Sequence, residues 1–451
     1  MKTESGLLIE NIFRKGLENH HYANTAYPLD GKKVWKEFKV PADKSDNEVR
    51  KQWKDVNEMS LYVHIPFCKK RCLYCEYTVL SGEEAYMKNE YVDKLLKEIG
   101  YYRELTKGKR LVGLDFGGGT PTTLTAHQIE KILNQSILGF NLDLEFAASI
   151  ETTPKIASMK REKLLAIRRA GIERISMGMQ TIDSKVLQEI GREDGTIEIL
   201  KRARDNIRNS NFKKFNIDLM YGFANQSLES FLTTADFAVQ LDPEYITLYR
   251  MRYKKTKIEE QSAKVNLEDV NKLYSAIYGF LNQKGYKANP GKNTFSRLEN
   301  DPGTSRYLTK RVIEGVPYLG LGLGAQSMSL NSIYYNQGAA SKKLGGYMKD
   351  IKETHFPVQD IYSLPDDEMM AKMISVSFYF GGINASAFRK RFGVSLESKF
   401  KDSVEFLKEK KLMEYKGDFF GLTETGKNYV NGIIPLFYSG RSQENLLSKE
   451  S

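Results

Sequence analysis

From residue 61 onward, short apolar runs alternate with longer amphipathic stretches. Runs of strand length lie at 61–65, 111–116, 144–150, 174–177, 215–220 and 245–248. Between them, 91–105, 129–138, 161–170, 197–207 and 228–241 carry the 3.6-residue repeat of helices with one buried face. Strand–helix alternation repeated about six times predicts an α/β fold, a parallel sheet with crossover helices. Six units are too few to close an eight-stranded barrel. The expectation is a curved, partial (βα)6 barrel with its active site at the carboxyl ends of the strands, where the loops lie.

The flanking regions read differently. Residues 1–58 form an N-terminal extension, with helix-like patterning from Leu7 to Phe13 and an irregular charged stretch through Lys54. The barrel proper spans 59–258. Residues 259–360 complete it, with a helix over 267–284 and a glycine-rich strand and turn over 316–328. Residues 361–451 are a further unit. Short helices at 385–392 and 400–410 precede two short strands over 412–423, joined by the Gly417-Asp418 turn. Helix, helix and two-stranded wing describe an α+β domain resembling a winged helix.

Composition narrows this picture. The 451 residues need two or three domains. The hydrophobic fraction of 41% and charged fraction of 28% are those of a globular protein, and no run of 18 apolar residues occurs. The first residues carry acids and lack a signal-peptide core, so the expected location is cytoplasmic. The net charge of +11 fits an anionic partner, nucleic acid or a carboxylate-bearing substrate. It fits a lysine-rich surface equally well, because the lysines are spread rather than blocked. The 26 tyrosines and 23 phenylalanines leave room for an aromatic-lined cavity or for ordinary core packing.

The chemistry is concentrated in three cysteines, Cys68, Cys72 and Cys75, the only ones in the chain. They cannot build a disulfide framework. A C-x3-C-x2-C triplet holds three corners of a metal or cluster and leaves the fourth open for substrate. With His64 they would make a Cys3His zinc site. Against zinc, no second half-knuckle exists, and the triplet directly follows the first strand, at a barrel mouth. Tyr74 beside the last cysteine is suited to pack on a large cofactor. An open [4Fe–4S] cluster is favoured. After the second strand, Asp115-Phe-Gly-Gly-Gly-Thr-Pro-Thr-Thr123 permits close backbone approach to an amino-acid ligand.

Together these motifs resemble the radical S-adenosylmethionine (SAM) enzymes, and more narrowly their oxygen-independent coproporphyrinogen III oxidase-like branch. The resemblance rests on Tyr62–Cys68 with Cys72 and Cys75, and on Phe116–Thr122. Glu151, Gly171–Gln180, Asn216–Gly222, Gly320–Ser327 and the C-terminal winged helix continue it in order. It implies a partial radical SAM barrel in which Cys68, Cys72 and Cys75 ligate three irons and the fourth iron takes the amino and carboxylate groups of SAM. It further implies that Tyr62 packs on the cofactor and that Gly117, Gly118, Gly119 and Thr120 hold its methionine end. Glu151, Gln180, Arg192 and Asp218 are the candidate polar contacts. A second SAM is expected beside the first, near Gly320, Gly322, Gly324 and Ala325. A flavodoxin- or ferredoxin-type protein is the expected electron donor. A structural reading of the same residues has Arg174 pairing with Asp218, Gln180 as a buried amide and the later glycines serving backbone turns only.

Departures from the family pattern shape the expected reaction. The oxidases carry a further cysteine two residues after the third ligand, where this chain has Tyr77. The haem chaperones of the branch carry a His-Asn-x-x-Tyr-Trp motif, where this chain has Gly303-Thr-Ser-Arg-Tyr-Leu308. Both readings are thereby weakened. The expectation becomes a class C radical SAM methyltransferase, using two SAM molecules to methylate or methylenate an sp2 carbon of a flat conjugated substrate such as a quinone, porphyrin or heteroaromatic. The oxidase and the haem chaperone stay as alternatives. An iron–sulfur DNA-binding regulator is the alternative of another class, disfavoured because Glu397, Asp402, Glu405 and Glu409 on the recognition segment would repel phosphates.

Overall fold

The computed structural model describes residues 1–3, 6–18, 27–28, 30–192, 195–353 and 355–449. Six parallel strands lie side by side in chain order: β1 Glu58–Ile65, β2 Arg110–Gly118, β3 Asn141–Thr152, β4 Ile172–Gln180, β5 Lys214–Tyr221 and β6 Tyr245–Arg250. The helices Lys88–Thr106, Ala126–Ile137, Arg161–Arg169, Ile197–Asn209 and Leu228–Gln240 alternate with them. Local chemistry sets their starts. Thr125 and Gln128 form a reciprocal capping box ahead of Ala126–Ile137, and the Thr196 hydroxyl caps Ile197–Asn209.

The strands have two chemically distinct faces, because side chains alternate along a strand. Leu61, Val63 and Ile65 of β1, Leu114 and Phe116 of β2, Ile175, Met177 and Met179 of β4, and Phe215, Ile217 and Leu219 of β5 join one buried apolar core. The intervening positions turn the other way and are polar. Asn216 donates from Nδ2 to Ser176 Oγ (2.7 Å) and Asp218 Oδ1 (2.7 Å), and its Oδ1 accepts from Thr247 (2.9 Å). Arg174 donates to Ser149 Oγ at 3.0 Å. The sheet therefore packs its helices through one face and builds a polar interior with the other.

The sheet is wider than the six-unit pattern suggests. β7 (Thr294–Ser296) runs antiparallel to β6, and β8 (Tyr318–Leu321) lies parallel to β1 on its far side. β9 (Gln326–Met328), β10 (Ser332–Asn336) and β11 (Val358–Ser363) extend that edge to eleven strands. These additions are mostly three to five residues long, too short to carry a readable period. Inside the barrel, the turn Arg306–Leu308 fills the space beside β2. A Cβ on Gly113 would stand 2.7 Å from the Tyr307 nitrogen, and Tyr307 stacks on Tyr62 at 5.9 Å.

The C-terminal unit has the expected wing. β12 (Gly382–Asn384), β13 (Met413–Lys416) and β14 (Phe419–Leu422) form a small sheet beside the helices Ala385–Phe392 and Lys401–Glu409. The N-terminal extension does not stand apart from it. Ile9 and Ile12 of the helix Ile9–Glu18 share a core with Ile433, Phe437 and Leu446. Buried Glu368 ties the same regions together, accepting from Tyr27 (2.6 Å), Trp35 Nε1 (2.8 Å) and Ser439 (2.6 Å). Residues 4–5, 19–26 and 29 of the extension lie outside the described residues. No described helix is long and apolar enough to cross a membrane.

Candidate active site

A cavity of about 430 Å³ opens at the carboxyl ends of β2 to β6. The loop after β1 brings all three cysteines to it. That loop is clamped at its base, where Cys68 N–H donates to Leu80 O (2.9 Å) and Leu80 N–H to Pro66 O (2.7 Å). Within it, Cys75 N–H reaches Cys72 O at 3.2 Å and Arg71 donates to Cys75 O at 3.0 Å. The thiols are free and half-buried. Burial pushes Cys68 up to about 11, and the nearby Cys75 and Cys72 thiols add to this, while the Thr120 hydroxyl at 3.5 Å opposes it. Thiols in that state ionise readily only against a cation, as they would on binding iron.

His64 is not a fourth ligand. Its Nε2 faces the Thr78 carbonyl at 2.9 Å, so that nitrogen carries the proton, and its Nδ1 lies 3.4 Å from the Tyr62 hydroxyl. Burial pulls its pKa down to about 4 against the opposing Thr78 bond, leaving it neutral. With both ring nitrogens engaged, the Cys3His zinc alternative has lost its histidine. The histidine instead underpins the first glycine run. A Cβ on Gly118 (φ +112°) would stand 2.5 Å from the imidazole, and one on Gly119 would stand 2.7 Å from the Pro66 carbonyl. Gly118, Gly119 and Thr120 line the cavity; Gly117, set against the Tyr62 ring, does not.

The opposite wall is acidic. Burial, Asp218 and Asp115 push Glu151 up to about 8, against the Arg174 charge and the Gly118 N–H. Asp218 is also raised by burial, although Ser176 and Asn216 hydrogen-bond its two oxygens. Arg174 therefore does not pair directly with Asp218; its bond goes to Ser149. Gln180 sits at φ +66° with Oε1 buried and unpartnered at the cavity wall. Arg192 donates to Gly178 O (2.9 Å) and Tyr74 OH (3.3 Å), and Tyr74 packs edge-on against Phe223. Two raised carboxyls and an orphaned acceptor make a wall that a ligand with a positive charge and N–H donors would satisfy. SAM, with its sulfonium and ammonium groups, has that chemistry. The three thiols suit a cluster with one open corner.

Tyr62, Tyr74, Glu151, Gln180, Arg192 and Asp218 thus meet the cysteines in one cavity. Gly320, Gly322, Gly324 and Ala325 do not line it. They lie in or just past β8, across β1, where Gly320 pairs with Tyr62 and Gly322 N–H donates to buried Glu98 at 2.8 Å. The sequence motifs did not include Ser149, Thr247 and Tyr249, and they held Asp115, Arg174, Ser176 and Asn216 without giving them a place in the site. Their signal was parity: each is the polar alternate of an apolar strand.

A family model described as the radical SAM superfamily matches residues 62–238. The haem chaperone HemW of Buchnera aphidicola subsp. Schizaphis graminum is 26% identical over 386 residues, covering 84% of this chain and 98% of its own length. The oxygen-independent coproporphyrinogen III oxidase of Helicobacter pylori strain 26695 is 26% identical over 404 residues, covering 84% of this chain and 85% of its own. Residues 62–238 are a radical SAM domain, and over 84% of its length the chain is similar to proteins of the coproporphyrinogen III oxidase-like branch. The fold agrees with the solved coproporphyrinogen III oxidase HemN of Escherichia coli, with a TM-score of 0.74, 24% identity and coverage of 88% of this chain and 94% of that one.

A radical SAM domain implies a [4Fe–4S] cluster and SAM. The methyltransferase expectation is overturned, because relatives matching 84% of the radical SAM chain bear the names of an oxidase and a haem chaperone. That expectation rested on Tyr77 and on residues 303–308. Single loop substitutions there leave the polar strand face and the thiol loop intact, so they were too local to decide the reaction.

Proposed function

We propose that this protein is a radical SAM enzyme acting on a carboxylate-bearing tetrapyrrole, in the manner of an oxygen-independent coproporphyrinogen III oxidase. The observation that supports it is the pairing of two chemistries in one cavity. Its floor holds three thiols beside an acidic wall. Its mouth carries Lys69, Lys70, Arg71, Arg250 and Arg252, cations suited to the propionates of such a ring. When bound, the cluster and SAM supply a 5′-deoxyadenosyl radical that removes hydrogen from the substrate.

The chain's own residues do the rest. Gly118, Gly119 and Gln180 present backbone and amide groups to the amino-acid end of SAM. Glu151 and Asp218 balance its positive charge, Tyr62 packs beside it, and Tyr74 with Arg192 closes the side next to Cys72. The relatives include a haem chaperone, but no histidine is among the residues lining this cavity to ligate haem iron.

The test is anaerobic incubation of reduced, cluster-loaded protein with SAM and coproporphyrinogen III. The expected products are carbon dioxide, a vinyl-bearing porphyrinogen and 5′-deoxyadenosine, with no S-adenosylhomocysteine. Steady 5′-deoxyadenosine release with no decarboxylated ring would sink the reading. The ratio of SAM consumed to carbon dioxide released, in the same assay, reports how many SAM molecules each turnover needs.

A further inference from the structure

Of the four tyrosines that stand out as exposed among the described residues, Tyr77, Tyr86, Tyr249 and Tyr429, two face the same cavity. Tyr77 follows the third cysteine by two residues and is 56% exposed; Tyr249 stands near the end of β6 and is 37% exposed. Leaving large rings open at one mouth forgoes burial, and such exposed aromatic surface marks contact sites. Tyr249 is set in place by a neighbour. The Tyr249 hydroxyl pairs with that of Tyr379, carried on the short turn Phe378–Phe380 of the C-terminal unit. Tyr77 has Arg252, Glu151 and Tyr379 around it. Charge completes the arrangement. Arg250 lines the cavity next to Tyr249 and makes no ion pair among the described residues, whereas Arg252 pairs with Glu76.

We propose that Tyr77 and Tyr249 form a stacking platform for the flat ring of the substrate at the cavity mouth, with Arg250 taking one of its carboxylates. This rests on the tetrapyrrole reading above and names the residues that select the ring. Aromatic faces bind flat conjugated rings by offset stacking, and a tyrosine does so with little conformational freedom to lose. The contact from Tyr379 gives the C-terminal unit a role in the site, since it fixes one of the two rings.

The test uses coproporphyrin III, the oxidised and fluorescent form of the ring, titrated anaerobically against cluster-loaded full-length protein and followed by fluorescence anisotropy. Tyr77→Ala and Tyr249→Ala are each expected to weaken binding about tenfold, the scale of one lost stacking contact. Tyr77→Phe is expected to bind as the unaltered protein does, because the ring carries the contact. Arg250→Gln is expected to weaken coproporphyrin III, which has four carboxylates, more than mesoporphyrin IX, which has two. Iron content and circular dichroism of each variant report whether it folds. Unchanged affinity in both alanine variants would overturn the platform while leaving the tetrapyrrole reading standing. A Tyr77→Phe variant as weak as Tyr77→Ala would overturn stacking. Failure of the unaltered protein to bind coproporphyrin III at all would overturn the tetrapyrrole reading, and the platform with it.

Discussion

Two glycine-rich loops approach strand β1 from opposite sides, and only one reaches the cavity. Gly117–Gly119 ends β2, and its last two glycines line the site beside Cys68. Gly320–Gly324 spans the end of β8 and is sealed against the wall. Gly322 N–H meets Glu98, Leu323 N–H meets the Tyr91 hydroxyl at 3.0 Å, and Asn336 and Tyr347 complete the Glu98 shell. In composition the two loops are nearly interchangeable. Both need glycine because backbone or ring atoms come too close for a Cβ. What separates them is what lies on the other side, open cavity in one case and a buried carboxylate in the other. A glycine run therefore marks close approach, and only the surrounding polar groups say whether a ligand or the protein itself is approached.

Substitutions in the two loops sharpen this contrast most strongly. Gly322→Ala would place its Cβ 2.7 Å from the His64 carbonyl at φ +97°, and against the Tyr91 hydroxyl. A loss of about 2–4 kcal/mol in chemical denaturation is expected, with no partner substitution at His64 able to relieve it. Gly118→Ala meets the His64 side chain instead, so the double variant Gly118→Ala, His64→Ala should be less destabilised than the sum of the two singles. Strict additivity would mean that His64 does not define the first loop.

A smaller effect is expected at the acceptor that no protein group satisfies. Gln180→Leu removes the buried, unpartnered Oε1. SAM affinity by calorimetry should fall about tenfold, while stability stays level or rises by about 1 kcal/mol. Equal losses in both quantities would show the amide to be structural.

The pH response is the mildest. Glu151 is pushed up to about 8 in the folded protein, above the ordinary glutamate range. The folded state thus holds this proton more tightly than the unfolded chain does. Its contribution is most favourable at low pH and is lost as pH rises through about 8. Glu151→Gln should flatten that part of the stability profile and raise stability at pH 8 relative to the unaltered protein. SAM binding, which favours the ionised carboxylate, should tighten over the same window and lose this dependence in the variant. An unchanged slope in Glu151→Gln would assign the window to other groups.

Much of this architecture was legible in the chain. All six parallel strands and the helices between them fall where the apolar runs and 3.6-residue repeats put them, because each strand is backed by a helix with one buried stripe. The cysteine triplet was legible because three thiols and no others fall within eight positions. The short edge strands were not, since three residues hold no period. The polar strand face was written in the alternation of Asp115, Arg174 and Asn216 with Leu114, Ile175 and Phe215, but a fully buried strand masks that alternation among small polar residues. The link between the N-terminal extension and the C-terminal unit, through Tyr27, Trp35 and Glu368, spans more than 300 residues and has no local signal. The reaction was not legible because Tyr77 at the cavity and residues 303–308 beside β2 are local departures on a scaffold shared with the oxidase and the haem chaperone.

The central claim is that the thiol floor and the acidic wall together bind and cleave SAM. Its most direct measurement is 5′-deoxyadenosine release from anaerobically reconstituted, reduced protein supplied with SAM, alongside iron content. The unaltered protein should hold about four irons per chain and release 5′-deoxyadenosine, and Cys68→Ala, Cys72→Ala and Cys75→Ala should each abolish both. Stoichiometric zinc with no reducible cluster, or a loaded cluster that leaves SAM intact, would contradict the account.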